Sequence, residues 1–527
     1  MREAALRSPV AAGYDDRVAP VAESRPRTRV LLGASTMAAA TLAIIAFVVS
    51  FLLPLDFDYW WHLADGRFML ARHALPAADP YSFTAAGQPL VVHEWLAELP
   101  MYLLHQAFGS RGPLALFALC VAALVVLTFG TLRRVGVSRG LAFGLSCLTL
   151  AAIWSFTGAR PQVAGFALTA AVIWLLERWI ARRDRSIWAL PVLIWLWGNL
   201  HGSYAIGLAL PAAVLAGELL ASCLQWKSGM RLETRDRLRL AAAIAVSLTV
   251  LVLNPNGLSL LMYPLSKLND PLAKQAIDEW MATDISNPIF WPFALLAGGY
   301  LALVFVRRPR LPASDLLLAA ALIAAALSTR KYVPFAAIAL TVLVGRVLAL
   351  PNHGDVHAPA PLARLATWRG HRNRPPASPN LLTQTVNLVA LLALTGVAVL
   401  VVRLWDPMAL TRTQIPVAAV DALGAKGLAG PLFNDYNWGG YLIWRLGPQT
   451  RVFIDGRGDD LYTRPGVLRG YLDVIQLKSK TEAILDQYNI QTVLIQKDTP
   501  LTRYLLATGT WRSSYDDGRV VKLERRQ

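Results

Sequence analysis

Apolar runs long enough to cross a bilayer recur along most of this chain, and they constrain its fold more than any other feature. A helix that crosses the hydrocarbon core needs about 20 apolar residues, and few other structures require runs of that length. Only 16% of the 527 residues are charged, whereas a soluble domain carries about a quarter. The sequence therefore predicts a polytopic α-helical membrane protein.

We predict about eleven transmembrane helices. The first apolar run has no small-residue cleavage motif at its end, so we interpret it as an uncleaved anchor. Residues 187–200 are short for a full crossing, and the chain around GNLHG is either two helices or one broken helix. The predicted spans are 30–54, 112–132, 140–157, 162–180, 187–200, 203–223, 237–254, 289–306, 313–329, 332–350 and 382–404.

The net charge of +17 is a topology signal, because the basic residues gather in alternate loops and Lys and Arg concentrate in cytoplasmic loops of membrane proteins. This alternation predicts a cytoplasmic N-terminus and an extracytoplasmic C-terminus, and it argues against nucleic acid as a partner. The cysteines lie in apolar segments and form neither a disulfide framework nor a CxxC metal site. They are Cys120, Cys147 and Cys223.

The chain divides into three predicted regions. Residues 1–29 form a basic cytoplasmic arm, residues 30–404 form the membrane domain, and residues 405–527 have an ordinary soluble composition. In the last region RVFIDG (451–456) and QTVLIQ (491–496) predict strands. KTEAILDQYNI and TPLTRYLLATG predict helices, and WRSSYDDGRVVKLERR predicts a hairpin with DG at its turn. We therefore expect a small extracytoplasmic α/β domain.

The first outer loop, 55–111, is too long and too patterned to be a simple connection. A helix over 58–72 would have one polar and one aromatic face, and we expect it to lie in the membrane interface with the aromatic face in the lipid headgroup zone. A second amphipathic stretch covers 93–109. The polar face carries Asp58, His62, Asp65 and Arg72, and the other carries Trp60, Trp61, Ala64, Phe68 and Ala71.

Asp56 and Asp58 are the first candidate catalytic residues. They follow a membrane span and precede a Trp pair, at a level where polarity falls. Desolvation raises the pKa of a carboxyl group there and makes it a suitable general base. The alternative is that Trp60 and Trp61 form an interfacial belt while the Asp residues cap the following helix.

A second set of candidates combines His residues with an acid. His62, His93 and His201 all map to the outer side, with Glu94 beside His93 and Asn199 in the GNLHG turn. Three His with an Asp could hold a divalent metal ion. The His residues lack the i,i+4 spacing of a dedicated zinc site, so polar hydrogen bonding is favoured over a metal.

Cations in two short outer turns form a third set. Arg160 lies in GARPQ, and Arg330 and Lys331 lie in STRKY. Cations at this level could hold a phosphate, the Arg residues as bidentate forks and the Lys as a point charge. The alternative is snorkelling to lipid phosphates.

Loop 255–288, with Glu279 beside a Trp, repeats the pattern of acid and Trp in the first outer loop, although a solvated acidic loop is the default interpretation.

Two further patterns narrow the function. No Asp, Glu, Lys or Arg lies near the middle of a predicted span, which disfavours a proton-coupled transporter. After the predicted strand 451–456 come several charged residues, for which a structural Arg–Asp network is favoured over catalysis. They are Asp455, Arg457, Asp459 and Asp460.

LDFDYWWHLADGR, DPYSFTAAGQPLVVHEWLAE and WGNLHG together resemble the GT-C superfamily of polytopic glycosyltransferases, in particular a bacterial group of GT-C-type membrane proteins. The resemblance implies a GT-C-like fold. It also implies transfer of a sugar from a polyprenyl-phosphate-linked donor to a glycan, lipid or protein acceptor, on the outer face of the bacterial plasma (inner) membrane. Asp58 or Asp56 would be the base.

The resemblance also implies roles for the other candidates. His93 and Glu94 would orient the acceptor or assist the base, and the outer cations would stabilise the departing lipid phosphate. A divalent metal is a further option, with no certain cofactor. The residues assigned to substrate binding are His62, Arg160, Asn199, His201, Glu279, Arg330 and Lys331.

FNDYNWGGYLIWRLGPQTRVFIDGR is distantly similar to the outer domain of oligosaccharyltransferase catalytic subunits. The WWDxG motif of that family is absent, so the similarity implies acceptor docking and not recognition of a peptide sequon. Two alternatives stay open: a non-catalytic scaffold or lipid-carrier-binding protein, and a polymerase or ligase of lipid-linked glycans.

Overall fold

A computed structural model describes residues 32–226, 231–267, 271–350, 380–428, 430–463 and 465–526. The predicted cytoplasmic arm (1–29) and most of the loop that follows the tenth predicted span lie outside the described residues.

The membrane part of the chain is built of helices, several of which are nearly continuous apolar runs. These helices are α1 (Ala34–Phe51), α2 (Tyr59–Arg72), α3 (Trp95–Phe108), α4 (Arg111–Arg134), α5 (Arg139–Ile153), α6 (Gln162–Arg182), α7 (Leu190–Leu200), α8 (Tyr204–Cys223), α9 (Thr234–Val250), α10 (Leu258–Lys267), α11 (Pro271–Ala276), α12 (Trp291–Arg307), α13 (Ala313–Ser328), α14 (Val333–Ala349) and α15 (Leu381–Leu404).

Within the described residues, 8 helical segments are long and apolar enough to cross a membrane, and each coincides with a predicted span. The count of eleven is not confirmed, because three predicted spans coincide with shorter helices. Those helices are α7, α9 and α13, with 11, 17 and 16 residues. Around GNLHG the chain forms two helices, since His201 adopts extended backbone and separates α7 from α8.

The helices differ in how deeply they are buried. The segment that contains α14 is 78% buried, which suits a helix that is apolar on every side. Helix α15, by contrast, has no buried residue among those described, and it packs beside α1 at the edge of the bundle. Its apolar surface is therefore available to lipid.

Helices α2 and α3 lie at one end of the bundle, called the loop side here, and pack against each other. Gly66 permits their close approach, because a Cβ atom there would lie 2.6 Å from the carbonyl oxygen of Glu98. The two predicted amphipathic helices of the first outer loop are therefore confirmed. The prediction that the aromatic face of the first contacts lipid is wrong: Trp60 is buried, with its ring 5.0 Å from that of Tyr441 in the C-terminal domain.

After α15 the chain forms short helices and a small sheet. The helices are α16 (Met408–Thr411), α17 (Val417–Gly427), α18 (Gly439–Leu446), α19 (Val467–Ile475), α20 (Thr481–Gln487) and α21 (Pro500–Ala507). The strands are β1 (Leu432–Asn434), β2 (Thr492–Gln496), β3 (Trp511–Asp516) and β4 (Val520–Arg525).

The sheet has the order β1-β2-β4-β3, in which β1 and β2 are parallel and the other neighbours are antiparallel. The predicted strand at 492–496, both predicted helices and the hairpin are confirmed, with Gly518 at positive φ (90°) in the hairpin turn. The strand predicted at 451–456 is wrong. Only Val452 forms isolated bridges there, to Ser82 and Leu432, because the chain turns away at Asp455.

The C-terminal domain shares its core with the membrane helices. Trp438, Tyr441 and Leu442 are buried in the same apolar cluster as α1, α2 and α4. A second cluster around Phe433 and Phe453 fills the space between the sheet and its helices. The domain is thus fixed on the loop side, where the candidate site lies.

Candidate active site

A cavity of about 990 Å³ lies on the loop side, between the ends of the membrane helices, α2 and the C-terminal domain. Its walls bring together residues that are far apart in the sequence. All of the sequence-predicted site residues except Asn199 line it: Asp56, Asp58, His62, His93, Glu94, Arg160, His201, Glu279, Arg330 and Lys331.

Asp58 stands at the start of α2 but does not cap it, because its side chain makes no hydrogen bond to the helix backbone. Instead Trp61 Nε1 donates to Asp58 Oδ1 at 3.0 Å, and Arg160 Nη2 donates to Asp58 Oδ2 at 3.2 Å. Asp56 Oδ1 accepts from the backbone N–H of Asp58 at 2.8 Å. A carboxylate oxygen has two lone pairs, so Asp58 can take up one proton, at either oxygen, while it keeps these hydrogen bonds.

Arg160 joins three carboxylates. It lies two residues before the start of α6, and its side chain is 17% exposed. The guanidinium lies 3.4 Å from Asp56 Oδ2 and 3.2 Å from Asp58 Oδ2, and it also donates to Glu279. One cation therefore faces three acids, and the cluster keeps excess negative charge.

This environment raises the pKa of both Asp58 and Arg160. Burial, together with repulsion from Asp56, raises the pKa of Asp58 to about 8, against the opposing effect of Arg160. Burial alone would lower the pKa of Arg160, but the three carboxylates outweigh it and raise that pKa, so Arg160 stays charged. A carboxyl group with a pKa near neutrality is suited to proton transfer.

A second polar cluster surrounds Glu94 beside Asp58. His62 Nδ1 lies 2.9 Å from Glu98 Oε1 and 3.6 Å from Glu94 Oε2, while His201 Nε2 lies 3.3 Å from Glu94 Oε1. His93 Nε2 is 3.6 Å from the same oxygen. Three of the predicted residues from two distant segments thus meet at one carboxylate.

The protonation of this cluster follows from its burial. Burial lowers the pKa of His62, and Arg160 and the neighbouring His rings lower it further, so the ring is neutral. Burial, with repulsion from Asp65 and Glu94, raises the pKa of Glu98. Burial also raises the pKa of Asp65 to about 6, although Arg457 opposes the shift.

Within the part of the chain that the structure describes, His62, Glu94 and Glu98 could also hold a metal ion, since their ligand atoms lie within 4.8 Å of one another. A neutral imidazole and carboxylate oxygens are suitable ligands for a divalent cation. Glu98 Oε2 is buried without a hydrogen-bond partner, which leaves an acceptor for an ion. The residues therefore fit such a group, while without an ion His62 Nδ1 and Glu98 Oε1 are hydrogen-bonded to each other.

Arg330 and Lys331 lie on another wall of the cavity, between α13 and α14. The segment 281–283 is hydrogen-bonded to the end of α13, with Arg330 N donating to Met281 O at 2.9 Å. Arg330 also pairs with Asp278, whose side chain is 79% exposed. Lys331 Nζ lies 2.8 Å from the ring centroid of Trp280, a cation–π contact.

Asn199 is the predicted site residue that the structure does not bring to the cavity. Its side chain is buried, Oδ1 accepts from Trp95 Nε1 at 2.8 Å, and Nδ2 donates to Trp195 O at 2.8 Å. The amide thus fastens the end of α7 to the start of α3. Its contacts are those of a structural residue.

Two residues were not assigned to the site from the sequence: Glu98, which contacts the cavity residue His62, and Arg457, which lines the cavity. Glu98 follows Glu94 by four residues at the start of α3, and this i,i+4 spacing was the available signal. Arg457 was assigned to a structural Arg–Asp network, which the structure contains: Nε and Nη2 bind Asp455 at 2.8 and 2.7 Å. The network also includes Asp79 of the first loop, 2.9 Å from Nη1, and no local pattern indicated that contact.

No protein-family model matches the sequence, and no curated protein matches it. Among solved structures, the Archaeoglobus fulgidus oligosaccharyltransferase tethered with an acceptor peptide is similar, with a TM-score of 0.50 and 11% identity over 93% of this chain and 74% of that chain. ArnT from Cupriavidus metallidurans in the apo state has a TM-score of 0.49 and 16% identity, covering 92% of this chain and 96% of that chain.

At these identities the similarity concerns the fold. The chain therefore has a helical membrane fold similar to that of the Archaeoglobus fulgidus oligosaccharyltransferase, with a small C-terminal sheet domain. It is a multi-pass membrane protein.

Proposed function

We propose that this protein is a glycosyltransferase that moves a sugar from a polyprenyl-phosphate-linked donor to an acceptor hydroxyl group. The observation that carries the proposal is the position of Asp58, a carboxyl group with a pKa of about 8 in a cavity that also contains Arg330 and Lys331. The GT-C fold supports the same reaction class. The acceptor is a glycan, a lipid or a protein.

In the proposed reaction Asp58 takes the proton of the acceptor hydroxyl as its oxygen attacks the anomeric carbon of the donor. The new glycosidic bond forms while the bond between the anomeric carbon and the phosphate oxygen breaks, and the lipid phosphate leaves with the bonding electrons. Trp61 and Arg160 hold the carboxylate in place. Asp56 fixes the turn before α2.

Negative charge grows on the departing phosphate, and preorganised cations stabilise it most effectively. Arg330 and Lys331 would supply them, with the exposed carboxylate of Asp278 giving way to phosphate oxygens at Arg330. Arg160 is held by three carboxylates, so we assign it to the base and not to the phosphate. His93, Glu94 and His201 would orient the acceptor.

A divalent cation held by His62, Glu94 and Glu98 would supply positive charge beside the acceptor. The positive-inside distribution of Lys and Arg supports a reaction on the extracytoplasmic face of the bacterial inner membrane. There the C-terminal domain, which forms one wall of the cavity, would limit access of water, which otherwise competes as acceptor.

The proposal is tested by following labelled sugar from a polyprenyl-phosphate donor into an envelope acceptor fraction, using purified protein in lipid. Wild-type protein should transfer the label and release polyprenyl phosphate. A scaffold would release none, and cells that lack it would keep unchanged glycans and lipid-linked sugars. A polymerase would differ again, since its deletion would accumulate unpolymerised repeat units.

The pH dependence should follow the ionisation of Asp58, because a general base acts in its deprotonated form. With a pKa of about 8, set by burial, Asp56, Arg160, Trp61 and Glu279, the ionised fraction falls as pH drops. We expect kcat/KM to rise roughly tenfold per pH unit below the pKa and to level off above it. A profile that is flat between about pH 6 and 8 would contradict this assignment.

Removing either cation of the STRKY turn, which lines one wall of the cavity, should weaken donor binding. Arg330→Gln or Lys331→Gln should each raise the KM for the donor by about 10–100-fold, since a charged hydrogen bond contributes about 1.5–3 kcal/mol. Arg412→Gln is the matched control, an exposed Arg that pairs with Asp406 and does not line the cavity. Unchanged donor KM in both variants would contradict the phosphate assignment.

A further inference from the structure

A turn of the C-terminal domain touches the proposed base directly. The chain at Asp455–Gly456–Arg457 reaches the cavity wall, and Gly456 lies against Asp58 and Trp61. A Cβ atom at Gly456 would overlap Asp58 Oδ1 and would lie 3.1 Å from Trp61 Nε1. These are the two atoms of the hydrogen bond that orients the carboxylate. Only a glycine lets the turn lie this close without moving Asp58.

Arg457 fixes the shape of that turn. Its guanidinium binds both oxygens of Asp455 at 2.8 and 2.7 Å, and its backbone N–H donates to Asp455 Oδ1 at 3.0 Å. Tyr462 Oη donates to Asp455 Oδ2 at 2.6 Å. The Arg457 and Asp455 side chains are 2% and 0% exposed, so the pair is well ordered, and charged hydrogen bonds of this bidentate form are strong.

The same Arg457 attaches the turn to the first loop. Its Nη1 lies 2.9 Å from Asp79 Oδ1, and Asp79 in turn accepts from the backbone N–H groups of Tyr81 and Ser82. Nearby, Val452 N donates to Tyr81 O and Phe83 N donates to Val452 O, both at 3.2 Å. The first loop carries Asp58, so the network fixes the turn and the base relative to each other.

We propose that Gly456 and Arg457 are positioning residues for the transfer reaction. Arg457 holds the turn in place. The backbone of Gly456 packs against Asp58 and thereby confines the carboxylate to the orientation between Trp61 and Arg160. The C-terminal domain thereby forms part of the reaction centre. This inference rests on the proposed role of Asp58 as the base.

Gly456→Ala tests the inference without removing any functional group. The atom that the new methyl group meets is the end of a side chain, so Asp58 can rotate away and the fold should survive, with thermal unfolding close to that of the wild type. We expect kcat to fall by about 100-fold, the scale of a 1 Å misplacement of a reacting group. The donor KM should change less than about twofold, because Gly456 contacts the base and not the cations.

Gly470→Ala is the matched control in the same domain, because its new Cβ would meet only Ile484 at an ordinary 3.8 Å. It should keep wild-type kcat and KM. Arg457→Lys provides a second test, because lysine keeps the positive charge but cannot bind both oxygens of Asp455 at once. A lowered kcat with unchanged donor KM supports the inference. Wild-type kcat in Gly456→Ala would overturn it, and so would wild-type kcat in Arg457→Lys if the Gly456 variant does not fold.

The Asp58→Asn background separates this inference from the proposed function. If Gly456 acts through the carboxylate, adding Gly456→Ala to Asp58→Asn should leave the residual rate unchanged. Full activity of Asp58→Asn itself would overturn the role of Asp58 as the base, whereas absence of sugar transfer by the wild type would overturn the proposed function. Loss of activity in Asp58→Asn with full activity in Gly456→Ala would overturn the positioning role alone.

Discussion

Asp58→Asn is expected to lower kcat by about 10²–10⁴-fold, the range that a positioned general base contributes. Asparagine has nearly the same shape and can still accept the hydrogen bond from Trp61, so the cavity should keep its form. What is lost is the ability to take the acceptor proton. The measurement is transfer of labelled sugar by purified protein under single-turnover conditions, which separates chemistry from product release.

The control for this substitution is Asp284→Asn. Asp284 lies in the loop before α12 and is exposed, its side chain accepts from the backbone N–H and the hydroxyl of Ser286, and it does not line the cavity. Its replacement should leave kcat within about twofold, because surface changes rarely exceed a few tenths of a kcal/mol. If the two variants retain equal activity, Asp58 is not the base.

Arg160→Gln is expected to affect both stability and activity. Removing the guanidinium leaves Asp56, Asp58 and Glu279 without the cation that they share. Breaking a buried pair costs about 3–5 kcal/mol. Since these carboxylates are 24–33% exposed, we expect a smaller loss, about 1–3 kcal/mol, together with a fall in kcat of at least tenfold.

The sign of the accompanying pH effect is specific. Arg160 lowers the pKa of Asp58, so its loss should move the acidic limb of the rate profile to higher pH. Arg160→Lys should recover part of the stability and of the profile, because it keeps the charge but cannot reach three carboxylates at once. A profile that moves to lower pH, or stability equal to the wild type in Arg160→Gln, would contradict this description of the cluster.

The local part of the fold was predictable from the sequence. Spans such as 112–132 and 162–180 follow from length and apolar composition, which depend on the bilayer and little on tertiary contacts. Length and apolar composition did not give the bounds of the shorter helices. Helix α7 ends where the backbone of His201 becomes extended, and α9 begins in a charged segment. The strand assigned to 451–456 failed because apolar alternation does not report how the chain turns at Asp455.

The site was predictable as a set of residues but not as a set of contacts. Asp58 and Arg160 are 102 positions apart, and only the tertiary fold, which brings the start of α2 close to the turn before α6, makes them partners. The sequence indicated phosphate for Arg160, whereas three carboxylates surround it. The contact of Gly456 with Asp58 depends on the docking of the C-terminal domain, for which the sequence carries no short-range signal.

The measurement that tests the central claim most directly is a structure of the purified protein in lipid with polyprenyl phosphate bound. We predict a phosphate within hydrogen-bonding distance of Arg330 or Lys331, in the same cavity as Asp58. The space beside the carboxylate should then be left for a sugar and an acceptor hydroxyl. Phosphate bound elsewhere, or a cavity that fills with lipid tails while Arg330 and Lys331 keep their present partners, would contradict the account.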